Sequence, residues 1–422
     1  MKRAAVMTAA LAMVACSIGG SAAPAPKSSA PTRVALGDVR VGALFPTTGA
    51  SAAVGLAALH GAQLAAEVLN GDHPEIALPR LTVGRLVIDP ADTGSGAQAA
   101  AAAVDQLVGA DHVAALTGAL DSDATAAASQ RAERLSVPMV SGSASAPDLT
   151  ARSLRWFWRV GPSDRTYVDT AFAWLHAASA ERPKDRSLAR VVVIHSDDQA
   201  GRDGAALVEK LAPQDVEVTE DVLLPGDGGE LTPVVQRLAG YAPDALLAFT
   251  TAADAVRLVQ TMAKVGYTPP ALLGLGDGFT DPRFASSLGP LADGATASAA
   301  WSPEIAVKRP VAAAVEAAFR QEFGRDMNAD AANDFEATLT IGMAIEAADS
   351  TDPSRVHAAL AGMNAGPGIM AWRGIRFDAT GQNTLAGSVV EQVTTGRYHL
   401  VYPAGVATAA VVWPMPALNT RG

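Results

Sequence analysis

Hydroxyls and carboxylates collect where the sequence predicts strands to end, and these are the groups able to do chemistry. Ser122, in Gly118-Ala119-Leu120-Asp121-Ser122-Asp123, follows a predicted strand and opens a helix, where free amides and the helix dipole favour a ligand's negative group. The same serine also reads as a sound helix N-cap. The run Ser141 to Leu149, with Ser143 and Ser145, holds more hydroxyls than a turn requires. Asp164 stands at a junction between two series of elements, Thr250 closes a later strand, and Asp277 ends another. Each carboxylate reads equally as a solvated turn residue or cap. In doubly wound α/β sheets such positions share one crevice at the carboxyl ends of the strands. The chemistry on offer is the holding of a small polar molecule.

Bond-breaking chemistry would need constellations that the chain does not contain. No G-x-S-x-G surrounds any serine, and the glycine pairs at Gly94-Ser95-Gly96, Gly226 to Gly229 and Gly274 to Gly278 complete neither G-x-G-x-x-G nor a phosphate loop. They read as turn glycines. The seven histidines are scattered singly, without metal-ligand spacing. His195 follows a strand and reads as a satisfied strand-end histidine. The chain is therefore read as a non-enzyme with no cofactor and no metal.

The elements that must position these residues alternate. The stretch Val39 to Asn70 fuses a buried strand, the loop Pro46 to Ser51 with Thr47 and Thr48 at its mouth, and a long helix stopped by Asn70-Gly71. A strand from Leu81 to Asp89, stopped by Pro90, precedes a helix to Val108. A strand at Val113 to Gly118, a helix over Ser122 to Leu135, and strands at Val137 to Ser141 and Arg155 to Val160 follow. A second series runs from a helix ending at Ala178 through strands at Arg190 to His195, Val216 to Leu224, Ala245 to Thr250 and Ala271 to Gly274, with helices between. Helices at Val311 to Phe323, Ala331 to Ala348 and Pro353 to Met363 precede a terminal antiparallel set at Gly374 to Asp378, Ser388 to Val393 and Tyr398 to Tyr402. Alternating β and α elements with short links predict mostly parallel sheets covered on both faces.

At 422 residues the chain suits two or three domains, and 49% hydrophobic with 18% charged composition is globular. A net charge of −11 without a basic run argues against nucleic acid as partner. Met1-Lys2-Arg3 and the apolar Ala4 to Val14 read as a secretory signal. No later run reaches the roughly 18 apolar residues of a membrane-spanning helix. Cys16 is the only cysteine, so structural disulfides are impossible. The segment Met13-Val14-Ala15-Cys16 resembles the bacterial lipobox, which makes Cys16 a lipidation site; an intermolecular disulfide or an unused thiol is the other reading.

Several blocks carry a wider resemblance. Leu44-Phe45-Pro46-Thr47-Thr48-Gly49, Ala53, Gly55, Gly61, Leu64-Ala65 and Leu69-Asn70 fall in register with a family pattern, as do Val137 to Ser141, Arg159 with Pro162-Ser163-Asp164, and Gly374 to Gly381. On these the chain resembles type I periplasmic binding proteins, specifically the Leu/Ile/Val receptors of ABC transporters, over about Val39 to Tyr402. The resemblance implies two Rossmann-like lobes with parallel central sheets joined by a three-strand hinge. It implies residues 1–15 as signal peptide, 16–37 as tether, 38–161 with 300–372 as one lobe, and 162–299 with 373–413 as the other.

The resemblance also implies roles. Ser122 and Ser145 fall where the family holds an amino acid's carboxylate, and Asp164 and Asp277 where acidic residues lie near its ammonium. Ala200 and the Thr250-Thr251 region replace family aromatics, and Val54 replaces a bulky aromatic beside the ligand side chain. The expected protein is an exported, lipid-anchored receptor that delivers an amino acid or related compound to an ABC permease. A sensor of the same fold, binding an amide, urea-like or aromatic compound, is the alternative.

Overall fold

A computed structural model describes residues 37–94, 96–179, 189–226 and 229–418. The signal peptide, Cys16 and nearly all of the tether lie outside the described residues.

The first sheet holds β1 (Asp38–Phe45), β2 (Arg85–Asp92), β3 (Ala115–Gly118), β4 (Met139–Ser141) and β5 (Phe157–Arg159), all parallel in the order β2-β1-β3-β4-β5. The second holds β6 (Ala189–His195), β7 (Val216–Leu223), β8 (Ala245–Phe249), β9 (Leu272–Leu275) and β10 (Thr296–Ala299). A small pair, β11 (Asn364–Ala365) and β12 (Ile375–Arg376), stands apart. Antiparallel β13 (Val389–Thr394) and β14 (Arg397–Tyr402) extend the second sheet, whose order is β14-β13-β10-β9-β8-β6-β7.

The helices of the first half are α1 (Ala52–Asn70), α2 (Ala97–Gly109), α3 (Ser122–Leu135), α4 (Asp148–Ala151) and α5 (Asp164–Ala178). Then come α6 (Gln199–Leu211), α7 (Thr232–Tyr241), α8 (Ala252–Val265) and α9 (Pro282–Leu288). The last are α10 (Ile305–Lys308), α11 (Pro310–Phe323), α12 (Ala329–Ala348) and α13 (Pro353–Ala361). Each sheet is buried on both faces, as parallel sheets require. In β6, Val192 and Ile194 join a core with α7 and α8, while Val191 and Val193 join another with α5 and α6. In the first lobe, Val39 and Val41 pack with α1 and α12, and Leu44 with Leu116, α2 and α3. The chain passes between the lobes after β5, after β10, and between α13 and β13, so two lobes share three connections.

Several local expectations change. Pro90 does not stop its strand but lies inside β2, which is tolerated because β2 is an edge strand and the missing N–H costs no ladder bond. The expected strand at Gly374 to Asp378 shrinks to β12, which pairs with β11 rather than with the terminal set. β10 was not foreseen; Thr-Ala-Ser-Ala carries no strand pattern and is extended because β9 and β13 flank it. Among the described residues α1 is long and apolar enough to cross a membrane, yet it is mostly buried, as befits a core helix.

Candidate functional site

The loops after β3, β4 and β5 meet first. Asp121, not Ser122, caps α3, its carboxylate accepting the Ala124 amide at 2.8 Å. Ser122 is thereby released from the cap, and its Oγ accepts the Ala146 amide at 3.2 Å. That bond ties the start of α3 to the serine-rich loop. Ser145 accepts the Asp164 amide through its carbonyl at 2.9 Å, and its hydroxyl lies within hydrogen-bonding reach of the Asp164 carboxylate. Asp164 opens α5 behind a capping box made by Ser163 and Thr166. Arg159, buried at the end of β5, donates to Gln382 Oε1 at 2.7 Å and to the Ala146 carbonyl at 2.6 Å, which pins the serine-rich loop.

Two residues on α12 join this group and were not singled out from sequence. Ser143 Oγ donates to Asp334 Oδ2 at 2.9 Å and lies within reach of the Asp330 carboxylate. Tyr167, one turn into α5, is the other omission: its ring packs against cores of both lobes, and Asp164, Asp277 and Asp330 all act on its hydroxyl. Its signal was its spacing of three from Asp164. Asp330 and Asp334 gave none, because a polar residue on a helix normally reads as solvated surface.

The second lobe brings Asp277 and Thr250 to the same place. Gly278 follows Asp277 with backbone so close to Thr250 that a side chain there would begin 3.0 Å from Thr250 Oγ1. Asp277 acts electrostatically on Asp164, Tyr167 and Asp330. The structure thus brings together Ser122, Ser143, Ser145, Asp164, Thr250 and Asp277. Val54 is 40% exposed on the first turn of α1, and Ala200 is exposed on α6. Thr47 and Thr48 are occupied in bracing their own loop, the Thr47 amide donating to Asp92 at 2.8 Å and the Thr48 hydroxyl at 2.6 Å. These bonds hold the Asp92 carboxyl well below the usual range. His195 is satisfied, with Nδ1 2.8 Å from the Ser196 carbonyl and Nε2 3.4 Å from Asp221.

Burial dominates the electrostatics of the cleft. It raises Asp164 against the opposing Ser145 hydroxyl and Arg159, pushes Asp330 up to about 6 with help from Asp277, and raises Asp334 well above the carboxylate range. Asp277 is raised too, by its enclosure and by Asp281, although its side chain still reaches water in the open cleft; screening there limits the effect. A concave pocket of about 600 Å³ lies beside His73 and Glu322, and one of about 430 Å³ beside Thr166 and Asn383, the latter next to Asp164 on α5 but without any of the four carboxylates in its lining. The cleft is the candidate site, since hydroxyls and carboxylates of both lobes converge there.

Burial also sets how stability responds to pH. Glu336, wholly buried in α12, is pushed up to about 7 by desolvation against the Ile369 amide and Arg309, and desolvation takes Glu391 to about 7 as well. Unfolded glutamate titrates near 4.3, so between the two values the folded chain keeps protons that the unfolded chain releases. Their favourable contribution is complete below the unfolded value and lost as pH rises through about 7. The melting temperature at pH 5.5 should therefore exceed that at pH 8.5. Glu336→Gln should shrink the stability difference between these two pH values by roughly 2 kcal/mol, since only the interval from pH 5.5 to about 7 counts at 1.36 kcal/mol per pKa unit. An unchanged gap in that variant would show that Glu336 does not titrate in this range.

Known proteins bear on this cleft. The sequence profile described as periplasmic binding protein matches residues 38–397. Leu/Ile/Val-binding protein homolog 7 of Brucella suis biovar 1 (strain 1330) is 25% identical over 391 residues, covering 89% of this chain and 94% of the relative. An ABC transporter substrate-binding protein from Desulfitobacterium hafniense, solved in complex with Leu, superposes with a TM-score of 0.70 at 20% identity, covering 86% of this chain and 100% of that one. A solute-binding protein of an ABC transporter from Rhodopseudomonas palustris BisB5, in complex with 3,4-dihydroxy benzoic acid, gives 0.67 at 19% identity, covering 89% and 98%. These structures share the fold of two α/β lobes with parallel sheets. The matched proteins are solute-binding proteins rather than enzymes, act outside the cytoplasm and work with ABC permeases. With the match running from the first strand into the last, this chain belongs to the periplasmic binding protein family.

Proposed function

We propose that this protein is a solute receptor, lipid-anchored through Cys16, whose lobes close over a small polar ligand, an amino acid or related compound, and present it to an ABC permease. One observation carries the reading. Ser122, Ser143 and Ser145 of the first lobe lie beside Asp164, Thr250 and Asp277, so a ligand held there would touch both lobes. Contacts made by both lobes exist together only when the lobes are closed, and ligand binding then shifts the population toward that state.

Calorimetry with a panel of amino acids tests this. Micromolar binding by at least one member is the expected result, and heat-free titrations across the panel on folded protein would remove the amino-acid form of the reading. Mass spectrometry of the mature N-terminus tests the anchor, with a diacylglyceryl-modified Cys16 expected. A sensor of the same fold that takes an aromatic acid draws on the dihydroxybenzoic acid complex of the Rhodopseudomonas palustris relative. The four carboxylates around this cleft oppose an anionic aromatic ligand and favour the first reading.

A further inference from the structure

The cleft holds more carboxyl groups than the single ammonium of a neutral amino acid can partner. Asp164 comes from the start of α5, Asp277 from the loop after β9, and Asp330 and Asp334 from successive turns of α12. Arg159 is the one cation acting on this group among the described residues, through Asp164. Its guanidinium is already engaged with Gln382, the Ala144 and Ala146 carbonyls and the Thr150 hydroxyl. A zwitterion whose side chain is apolar brings one ammonium together with its own carboxylate. Most of the cleft's carboxyl groups would then have no cationic partner, and the buried ones would stay protonated rather than carry an uncompensated charge.

Orphaned polar atoms give a second, separate indication. Thr250 Oγ1, on a residue 8% exposed, has no hydrogen-bond partner and lies beside the Asp277 loop. Asn333 Oδ1, on a residue 4% exposed, is also unpartnered and lies 3.7 Å from where a side chain on Gly161 would begin, at the first crossing between the lobes. The Ser141 hydroxyl at the end of β4 is a third. Buried polar atoms are rarely left unsatisfied without a reason. Asn333 Oδ1 can only accept, so the missing partner is a donor.

Spacing separates a metal ion from an organic cation. One trio of carboxylate and histidine atoms among the described residues lies close enough to hold an ion, within 4.8 Å of one another: Glu67, His73 and Glu322, none of them a cleft residue. No three of the cleft's aspartates converge in that way. Carboxylates spread over two lobes and two turns of helix match positive charges spread along a chain.

We propose that the cleft takes an extended organic cation, a ligand with two or more ammonium or guanidinium groups set apart on an alkyl chain, held among Asp164, Asp277, Asp330 and Asp334. The proposal rests on the receptor reading above and narrows its ligand class. Tyr167 places its hydroxyl in the field of Asp164, Asp277 and Asp330, where it can hydrogen-bond one end of such a ligand. A basic amino acid and a linear polyamine share this chemistry. They differ in the carboxylate, which Ser122, Ser145 and the start of α3 would receive.

Titration calorimetry on the folded protein separates the outcomes, using L-arginine, L-lysine, putrescine, spermidine, L-leucine, benzoate and calcium chloride as probes. A dicationic probe should bind at least about 100-fold more tightly than leucine, weaken as salt rises, and release protons measurable in buffers of different ionisation enthalpy. Asp277→Asn and Asp330→Asn should each weaken it at least about tenfold, as expected when one partner of an enclosed charge pair is removed. Asp277 reaches water, so its variant keeps the fold and separates lost binding from lost structure. Ser122→Ala should weaken arginine or lysine and spare putrescine and spermidine. Leucine or benzoate binding without any dication would overturn the cation proposal and leave the receptor standing. Calcium binding alone would overturn it as well, and silence from every probe would remove both.

Discussion

Replacing Arg159 by methionine should cost the protein about 3–5 kcal/mol of stability, the range for breaking a buried charged network by removing one member. Arg159 is 1% exposed, yet its pKa is lowered only to about 10 by desolvation, so it stays charged at neutral pH. Its guanidinium joins the serine-rich loop, α4 and the Gln382 segment. It holds the Ala146 carbonyl at 2.6 Å, Gln382 at 2.7 Å, and through weaker bonds the Ala144 carbonyl and Thr150. Its backbone adds two bonds to the same crossing segment, accepting from the Asn383 amide at 2.9 Å and donating to the Gly381 carbonyl at 2.8 Å, and these survive the substitution. Methionine fills much of the volume but leaves the Ala146 carbonyl and Gln382 without their donor. Lysine should rescue little, because one ammonium cannot span the directions a guanidinium serves. Urea unfolding measures the loss, and a midpoint unchanged in Arg159→Met would show that water replaces the guanidinium. A second readout follows from position. The loop from Ser143 to Ala146 loses one of its anchors, the bonds from Arg159 to the Ala144 and Ala146 carbonyls, so ligand affinity should fall even at temperatures where the variant is folded.

The same residues show what could be read in the sequence. Strand and helix alternation was plain in Val39 to Asn70 and in Ser122 to Leu135, because apolar period and stop signals agreed there. The family pattern then supplied the fold. Positions fixed by tertiary pairing were not legible: Pro90 continues a strand because that strand lies at an edge, and β10 exists because two neighbours require it. The candidate site divides in the same way. Hydroxyls at strand ends were visible by type and place, as the bond from Ala146 to Ser122 illustrates. Asp330 and Asp334 were hidden by α12 itself, which buries nearly its whole circumference, so that Asn333, Asp334 and Glu336 look like a solvated stripe and are not one. An apolar aromatic lid was sought at Ala200 and Thr250. The aromatic group of this cleft is Tyr167, on the segment that crosses between the lobes.

Gly61→Ala should be more damaging than its size suggests, because α1 and α12 lie against each other with no room for a methyl group. A Cβ on Gly61 would stand 2.0 Å from the Ala331 carbonyl oxygen and 2.9 Å from its Cα, both backbone atoms of α12. Backbone of a buried helix cannot rotate away, so the helices must separate by about an ångström, and the core containing Leu64, Leu69 and Phe335 opens with them. Overpacking costs about 1–3 kcal/mol where side chains can adjust; here the loss should reach or exceed the upper end, against a helix-propensity gain of about 1 kcal/mol. Gly342→Ala on the facing helix supplies the contrast. Its Cβ would meet the Leu69 methyls, at 2.3 and 2.8 Å, and a leucine side chain can shift rotamer at modest cost. Urea midpoints should therefore fall clearly further for Gly61→Ala than for Gly342→Ala, and equal losses would mean that α12 moves as a rigid body as easily as Leu69 turns. The Gly61 variant should also lose ligand affinity. Ala331 is next to Asp330 and one turn from Asp334, so displacing the start of α12 carries both carboxylates out of register with Ser143, whereas Gly342 lies more than two turns away.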